Sequence, residues 1–209
     1  MLWAALAVDH ILNTSSVVAA APILSPRQQT ILLQIEDPTF FTHHGLSLTD
    51  GQGATTISSA LVRDALLVNG DLPGIKGVLQ SFYRAVFACC KRVDFGRDVM
   101  ALPLDAKVSK PVQLDLYTRL VYMGSMNGLQ VRGLEQAAQL YFTKPLAQLS
   151  EADFISLVAM IKAPNQYHPV NNPQAFALRR ERVASVVAGT CQPSGWFDTS
   201  YEHCKTGAQ

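Results

Sequence analysis

Apolar positions along this chain recur at the helical spacing of three and four far more often than they alternate, which predicts a mainly α-helical protein. The helix starts are marked. Ser150, with Asp153 three places on, caps a run carrying Phe154, Ile155, Leu157, Val158 and Met160, and Pro164 ends it. Asn172-Pro173 supplies an N-cap and a first-turn proline for a helix through Leu178, Arg182, Val183 and Val186. Ser109 and Pro111 open another, with Leu114, Tyr117, Leu120 and Val121 along one side. Between residues 75 and 87, Ile75, Val78, Leu79, Phe82, Tyr83, Val86 and Phe87 form one apolar stripe, and Lys76, Gln80, Ser81 and Arg84 take the other face. From the residues alone, that stripe reads first as cover over the core.

Composition narrows the class. A chain of 209 residues, 48% hydrophobic and 16% charged, buries one sizeable core and suits a single domain. A net charge of +1 and the lack of any Lys/Arg block argue against nucleic acid as a partner, so an anionic ligand must be held by a few placed cations. The first 21 residues are apolar and Ala-rich but broken by Asp9 and His10. A spanning helix needs about 20 apolar residues, and an acid at mid-bilayer costs about 3 kcal/mol. This segment therefore reads as the edge of a membrane-proximal stretch or as an ordinary first helix, rather than as a full anchor; Ala19-Ala20-Ala21 offers a weak signal-peptidase site. The four cysteines fall into a vicinal pair, Cys89-Cys90, suited to a helix core, and a tail pair, Cys191 and Cys204. Neither spacing is that of a zinc site, and the tail pair is either a disulfide of an exported domain or two free thiols.

Two stretches carry candidate chemistry. Glu36-Asp37 precedes Phe40, Phe41, His43, His44 and Gly45, setting an acid pair beside rings and a His-Gly turn. Gly51, Gly53, Thr55, Thr56 and Ser58 lead into an apolar helix through Ile57, Leu61 and Arg63, a loop whose amides and hydroxyls can face a phosphate or a sugar. The first stretch resembles the opening signature of the peptidoglycan glycosyltransferases (glycosyltransferase family 51, the transglycosylase domain of class A penicillin-binding proteins), with Glu36, Asp37, Phe40, His43 and Gly45 in every fixed place. The second is similar to that family's Gly-x-Ser-Thr-Ile-Thr-Gln-Gln-Leu segment, with Ser59 and Ala60 in place of two glutamines and Arg63 where a lysine is usual. Further ordered matches run through Lys110 to Tyr117, Tyr122-Met123-Gly124, Arg132-Gly133, Ala137-Ala138, Tyr141 to Lys144, Pro164 to Pro169 and the helix with Arg179-Arg180. Among these, Leu114, Tyr117, Tyr141, Phe142 and Tyr167 are expected to build helix contacts.

The resemblance implies a mainly α, lysozyme-like, two-lobed fold. It divides the chain into an N-terminal segment 1–24, a glycosyltransferase domain 25–190 with an enlarged region at 62–97, and a tail 191–209. It implies polymerisation of lipid II at the extracytoplasmic face of a membrane, with the growing glycan chain, the membrane surface and other cell-wall synthesis proteins as partners. Glu36 would be the general base, its pKa raised by burial beside Phe40 and Phe41, with Asp37 as the second catalytic residue. Substrate contacts would come from His43, Gly53, Thr55, Thr56, Ser58, Arg63, Arg97 and Arg132, with His43 and His44 ordering their loop. No metal-ligand cluster is readable, so a Mg²⁺ or Mn²⁺ ion would be held mainly by the donor pyrophosphate. For the 75–87 helix the resemblance offers a second role, an interfacial helix with Lys76 and Arg84 at headgroup level.

One departure sets up two alternatives. Matched without gaps, Val93-Asp94-Phe95-Gly96-Arg97 falls on the family's Arg-Lys-x-x-Glu segment, so Arg97 stands where a second carboxylate is expected, while Lys91, Arg92 and Asp98 lie close by. A catalytically impaired relative that binds lipid-linked glycan or a cell-wall partner is the first alternative. Glycan cleavage is the second, and it would need two carboxylates flanking the bond.

Overall fold

The computed structural model describes residues 24–64, 71–87 and 95–204, so the apolar N-terminus, Cys89-Cys90, and Lys91 to Asp94 lie outside the described residues. Among the described residues, eight α-helices carry the fold: α1 Pro26–Glu36, α2 Ile57–Val62, α3 Ile75–Phe87, α4 Phe95–Lys107, α5 Lys110–Leu120, α6 Leu134–Phe142, α7 Glu151–Ile161 and α8 Pro173–Val187. The expected mainly α architecture is what is found. Among the described residues, no helix is long and apolar enough to cross a membrane.

Helix α7 is the centre of the molecule. Every residue from Phe154 to Ile161 is buried, and α7 packs against α1 and α8. Its start follows the sequence: the Ser150 side chain accepts from the Asp153 amide at 3.1 Å, filling one donor that a helix N-terminus leaves open. The Asp153 carboxylate turns away to Lys144 at 2.9 Å, so the box is half closed. Asn172 and Ser109 also sit at N-cap positions before prolines, but their side chains make no capping bond.

A second group forms around α2, which packs on α4 and α5. Thr56 and Ser59 cap each other reciprocally: Thr56 Oγ1 accepts from the Ser59 amide at 3.1 Å and Ser59 Oγ accepts from the Thr56 amide at 3.0 Å. Buried Gln113 on α5 accepts from Ser58 Oγ at 2.6 Å and donates to Asp105 at 3.0 Å and to the Val108 carbonyl at 2.7 Å. Its amide is thereby satisfied at both ends, as a buried polar group must be.

Alternation gave little sign of strands, yet β1 Tyr122–Met126 pairs antiparallel with β2 Leu129–Arg132. Their turn is Asn127-Gly128, both at positive φ (53° and 80°), the two-residue geometry that matches strand twist. The pair Tyr122–Arg132 closes the hairpin at its base.

Helix α3 corrects the first reading of its stripe. Ile75, Val78, Leu79 and Phe82 are 81%, 70%, 47% and 68% exposed, so they do not cover the core. The helix is tied down from its opposite side, where buried Gln80 accepts from the Leu72 amide at 2.9 Å and Arg84 pairs with Asp71 at 2.8 Å. Periodicity identifies a shared face but not what that face meets.

Gly45 is a fixed point of the fold. It has φ +92°, and a Cβ there would lie 2.7 Å from the Ala101 carbonyl oxygen of α4. Gly45→Ala should therefore lower the unfolding free energy by about 2 kcal/mol or more, as measured by urea denaturation. A change below about 0.5 kcal/mol would show that α4 can move aside.

Candidate active site

The site grows from the end of α1. Asp37, the C-cap residue, is fully buried, and its carboxylate accepts from His43 Nε2 at 3.0 Å and from the Ile57 amide at 2.9 Å. The second bond satisfies a free N–H at the start of α2, where the helix dipole favours a negative charge. His43 Nδ1 accepts from the Gly45 amide at 2.9 Å, so the ring carries its proton on Nε2 and donates to Asp37. Lys110 reaches the same Nδ1 at 3.4 Å, lies 4.6 Å above the Phe40 ring and pairs with Asp105 at 2.6 Å. His44 is exposed and only approaches Asp105, at 3.7 Å.

This network holds Glu36 on the floor of a cavity of ≈ 520 Å³. The cavity is walled by Gly51 to Ile57, Arg63 and Asp64, by Tyr117 on α5, by Tyr122, Gln130 and Arg132 of the hairpin, and by Lys162, Arg179 and Thr199. Tyr117 donates its hydroxyl to Glu36 Oε2 at 3.3 Å. Burial pushes the Glu36 carboxyl up to about 6, against the pull of Arg179, Lys162 and the Tyr117 hydrogen bond, while Asp37 adds to the rise. Its place in the last turn of α1 works in the same direction, since a helix C-terminus disfavours negative charge. Burial lowers the pKa of Lys162 at the end of α7, with Glu36 opposing that fall, and raises that of Tyr117.

Of the residues expected from sequence, Glu36, Gly53, Thr55, Thr56, Arg63 and Arg132 line this cavity. Asp37, His43 and Ser58 do not line it; they are buried or half-buried supports behind it. The Arg97 side chain lies outside what is described. The apolar wall is also not the one anticipated: Ile35, Ile57, Leu61, Leu120, Val121 and Ile161 surround the cavity in place of Phe40 and Phe41.

Several polar side chains in the cavity, among them Lys162, Arg179, Asp64, Gln130 and Thr199, were not named as site residues from sequence, although Arg179 lies in the matched C-terminal helix. Lys162 follows an apolar helix and reads there as a terminal cation. Arg179 lies in the run Arg179-Arg180-Glu181-Arg182, which reads as a solvated face, yet it is buried between the Tyr201 ring at 4.6 Å and the Tyr167 ring at 5.8 Å. Its Nη1 donates to the Thr199 carbonyl at 2.8 Å, and its buried Nε has no hydrogen-bond partner. Asp64 pairs with Arg132 at 2.8 Å, placing a second carboxylate in the cavity. Gln130 came with the hairpin.

Among the described residues, the carboxylates at the cavity, Glu36 and Asp64, engage Tyr117 and Arg132 and are not joined by a third acid or histidine in a ligand cage. Elsewhere among the described residues, Cys191, His203 and Cys204 bring ligand-type atoms within 4.8 Å of one another, but the two sulfurs are joined in a disulfide.

Comparison with known proteins agrees with this geometry. The chain is 31% identical over 170 residues to penicillin-binding protein 1B of Buchnera aphidicola subsp. Baizongia pistaciae, covering 75% of this chain and 20% of that protein. It is equally similar to penicillin-binding protein 1B of Escherichia coli strain K12, covering 75% of this chain and 18% of that protein. With penicillin-binding protein 1A of Streptococcus oralis it shares 31% identity over 164 residues, covering 76% and 24%. The chain thus spans about a fifth of the length of these relatives. The transglycosylase family model matches residues 8–188, and the chain belongs to that family.

Proposed function

We propose that the chain is a peptidoglycan glycosyltransferase that polymerises lipid II into β-1,4 glycan and releases polyprenyl pyrophosphate. The observation that carries this reading is one half-buried carboxylate, Glu36, raised to about 6 in a cavity that also holds Lys162, Arg179, Arg63 and Arg132. Glu36 takes the proton from the C4 hydroxyl of the incoming sugar as its oxygen attacks the anomeric carbon of the growing chain, inverting that centre. A base in this range is largely ionised at neutral pH yet accepts a proton more readily than an ordinary carboxylate. Tyr117 holds the carboxylate through one oxygen.

The leaving pyrophosphate gathers negative charge, which placed cations stabilise best in a site shielded from water. The unpartnered Nε of buried Arg179 supports an anionic acceptor arriving with the ligand. A divalent ion would add charge neutralisation on the pyrophosphate oxygens. Among the described residues no set of carboxylates at the cavity forms its ligand cage, and no step here depends on it.

The outward apolar face of α3 supports docking of this region on the membrane that carries the substrate. Lys76 stands on the flank of that face, in the first turn of α3, where a headgroup would meet it. Phe82→Asp should weaken binding of the protein to liposomes, measured by co-sedimentation, while changing stability by less than about 0.5 kcal/mol, because Phe82 is already in water. Unfolding of that variant, with negligible liposome binding by the wild type, would refute the docking role.

Glu36→Gln should cut lipid II polymerisation in detergent by about 10²- to 10⁴-fold, and retention of most of the wild-type rate would remove Glu36 as the base. In the wild type, kcat/KM should fall about tenfold per pH unit below about 6, as the base becomes protonated. The stability effect has the opposite sense. A carboxyl raised from 4.5 to about 6 contributes stability that is present below pH 4.5 and lost as pH rises through 6. At pH 7.5, Glu36→Gln should therefore be no less stable than wild type, with a gain of up to about 2 kcal/mol in urea unfolding that vanishes near pH 4.

A further inference from the structure

The family match stops at residue 188, one residue past the end of α8, yet the described chain goes on to residue 204. This last stretch folds back as a strap closed by the Cys191–Cys204 disulfide. It lands on the glycine loop that walls the cavity. The Gly51 amide donates to the Gly195 carbonyl at 3.0 Å and the Gly53 amide to the Trp196 carbonyl at 2.9 Å. Tyr201, 1% exposed, donates its hydroxyl to the Gly51 carbonyl at 3.3 Å. Packing is close enough that a Cβ on Gly51 would lie 2.4 Å from Pro193 Cγ.

The other side of the strap is tied to α8, through Arg179 to the Thr199 carbonyl and Arg182 to the Ser200 carbonyl at 3.4 Å. Within the strap, Asp198 accepts from the Ser194 amide at 2.9 Å and pairs with His203 at 2.7 Å. Thr199 itself lines the cavity. The strap therefore bridges the glycine loop and the buried Arg179, both of which line the one cavity.

We infer that the disulfide-closed strap, residues 191–204, is a positioning element of the substrate cleft, holding the Gly51–Gly53 loop so that affinity for the lipid-linked sugar depends on the Cys191–Cys204 bond. The inference rests on the glycosyltransferase reading for the identity of the ligand. The bonds from strap to loop are few and individually weak, so the covalent closure keeps them made together. A dithiol reductant supplies two electrons and two protons, the S–S bond breaks into two thiols, and the reductant leaves as its own disulfide. The strap then opens locally more often, and the fraction of molecules with a formed cleft falls.

The test uses the full chain oxidised, treated with dithiothreitol, and as Cys191→Ser/Cys204→Ser, with lipid II in detergent as the probe. Amide exchange at Gly51 and Gly53 should speed up on reduction and in the double variant, while exchange across α7 stays slow. Lipid II affinity should fall, and KM rise, by about fivefold with kcat within about twofold. Tyr201→Phe, which keeps both cysteines, should show the same pattern in smaller measure. Unchanged exchange and affinity on reduction would overturn the inference, as would faster exchange throughout the core, which marks a clip for global stability. If lipid II fails to bind the oxidised wild type, the functional reading and this inference fall together. Binding that weakens on reduction without elongation by any form would sink the catalytic reading alone and leave the strap's role standing.

Discussion

The fully buried Asp37 carboxylate is the interaction on which the rest of the site depends. It joins the end of α1, the His43 ring and the first amide of α2. A charge taken out of water is tolerated only when it is hydrogen-bonded, so these two partners must arrive together at the end of α1. Their common fixation sets where Glu36, the preceding residue, projects, and where the cavity wall that begins at α2 stands. Asp37 thus shapes the cavity from behind, and its neighbour in sequence faces into it.

Two helix ends converge on the cavity floor, and their charges complement each other. Glu36 closes α1 and Lys162 follows α7, two helices that pack together in the core. The α7 C-terminus favours the Lys162 cation, whereas the α1 C-terminus opposes the Glu36 anion. Burial presses both toward neutrality. With Arg179 alongside, the floor carries an excess of positive charge in a chain whose overall charge is only +1. That local excess, rather than any broad field, is what an anionic ligand would meet.

Much of the helical scaffold was legible because caps and prolines act locally: the starts of α5, α7 and α8 fall where Ser109, Ser150 and Asn172 put them. The signature drew attention to Glu36, which lines the cavity, and to Asp37, His43 and Gly45, which are bonded to one another behind it. What the sequence hid was set by tertiary packing. Arg179 looks like an ordinary solvated cation until α8 carries it between the Tyr167 and Tyr201 rings, and Lys162, exposed at the end of α7, is seen to line the cavity only once the chain is folded. The hairpin went unseen because strands of five and four residues hold too few positions to show alternation, although Asn127-Gly128 was a readable turn signal. The α3 stripe was visible as a face, and only the fold revealed that it points outward.

The reciprocal cap of Thr56 and Ser59 has a further consequence. Ser59 is one of the positions where the chain departs from the glutamine-bearing pattern it resembles, and here a short hydroxyl closes the helix start without outside help. Together with the Asp37 bond to the Ile57 amide, it means that the wall carrying Thr55 and Thr56 is held by bonds internal to the protein. Binding then spends little conformational entropy on that wall, and more of the contact energy survives as affinity.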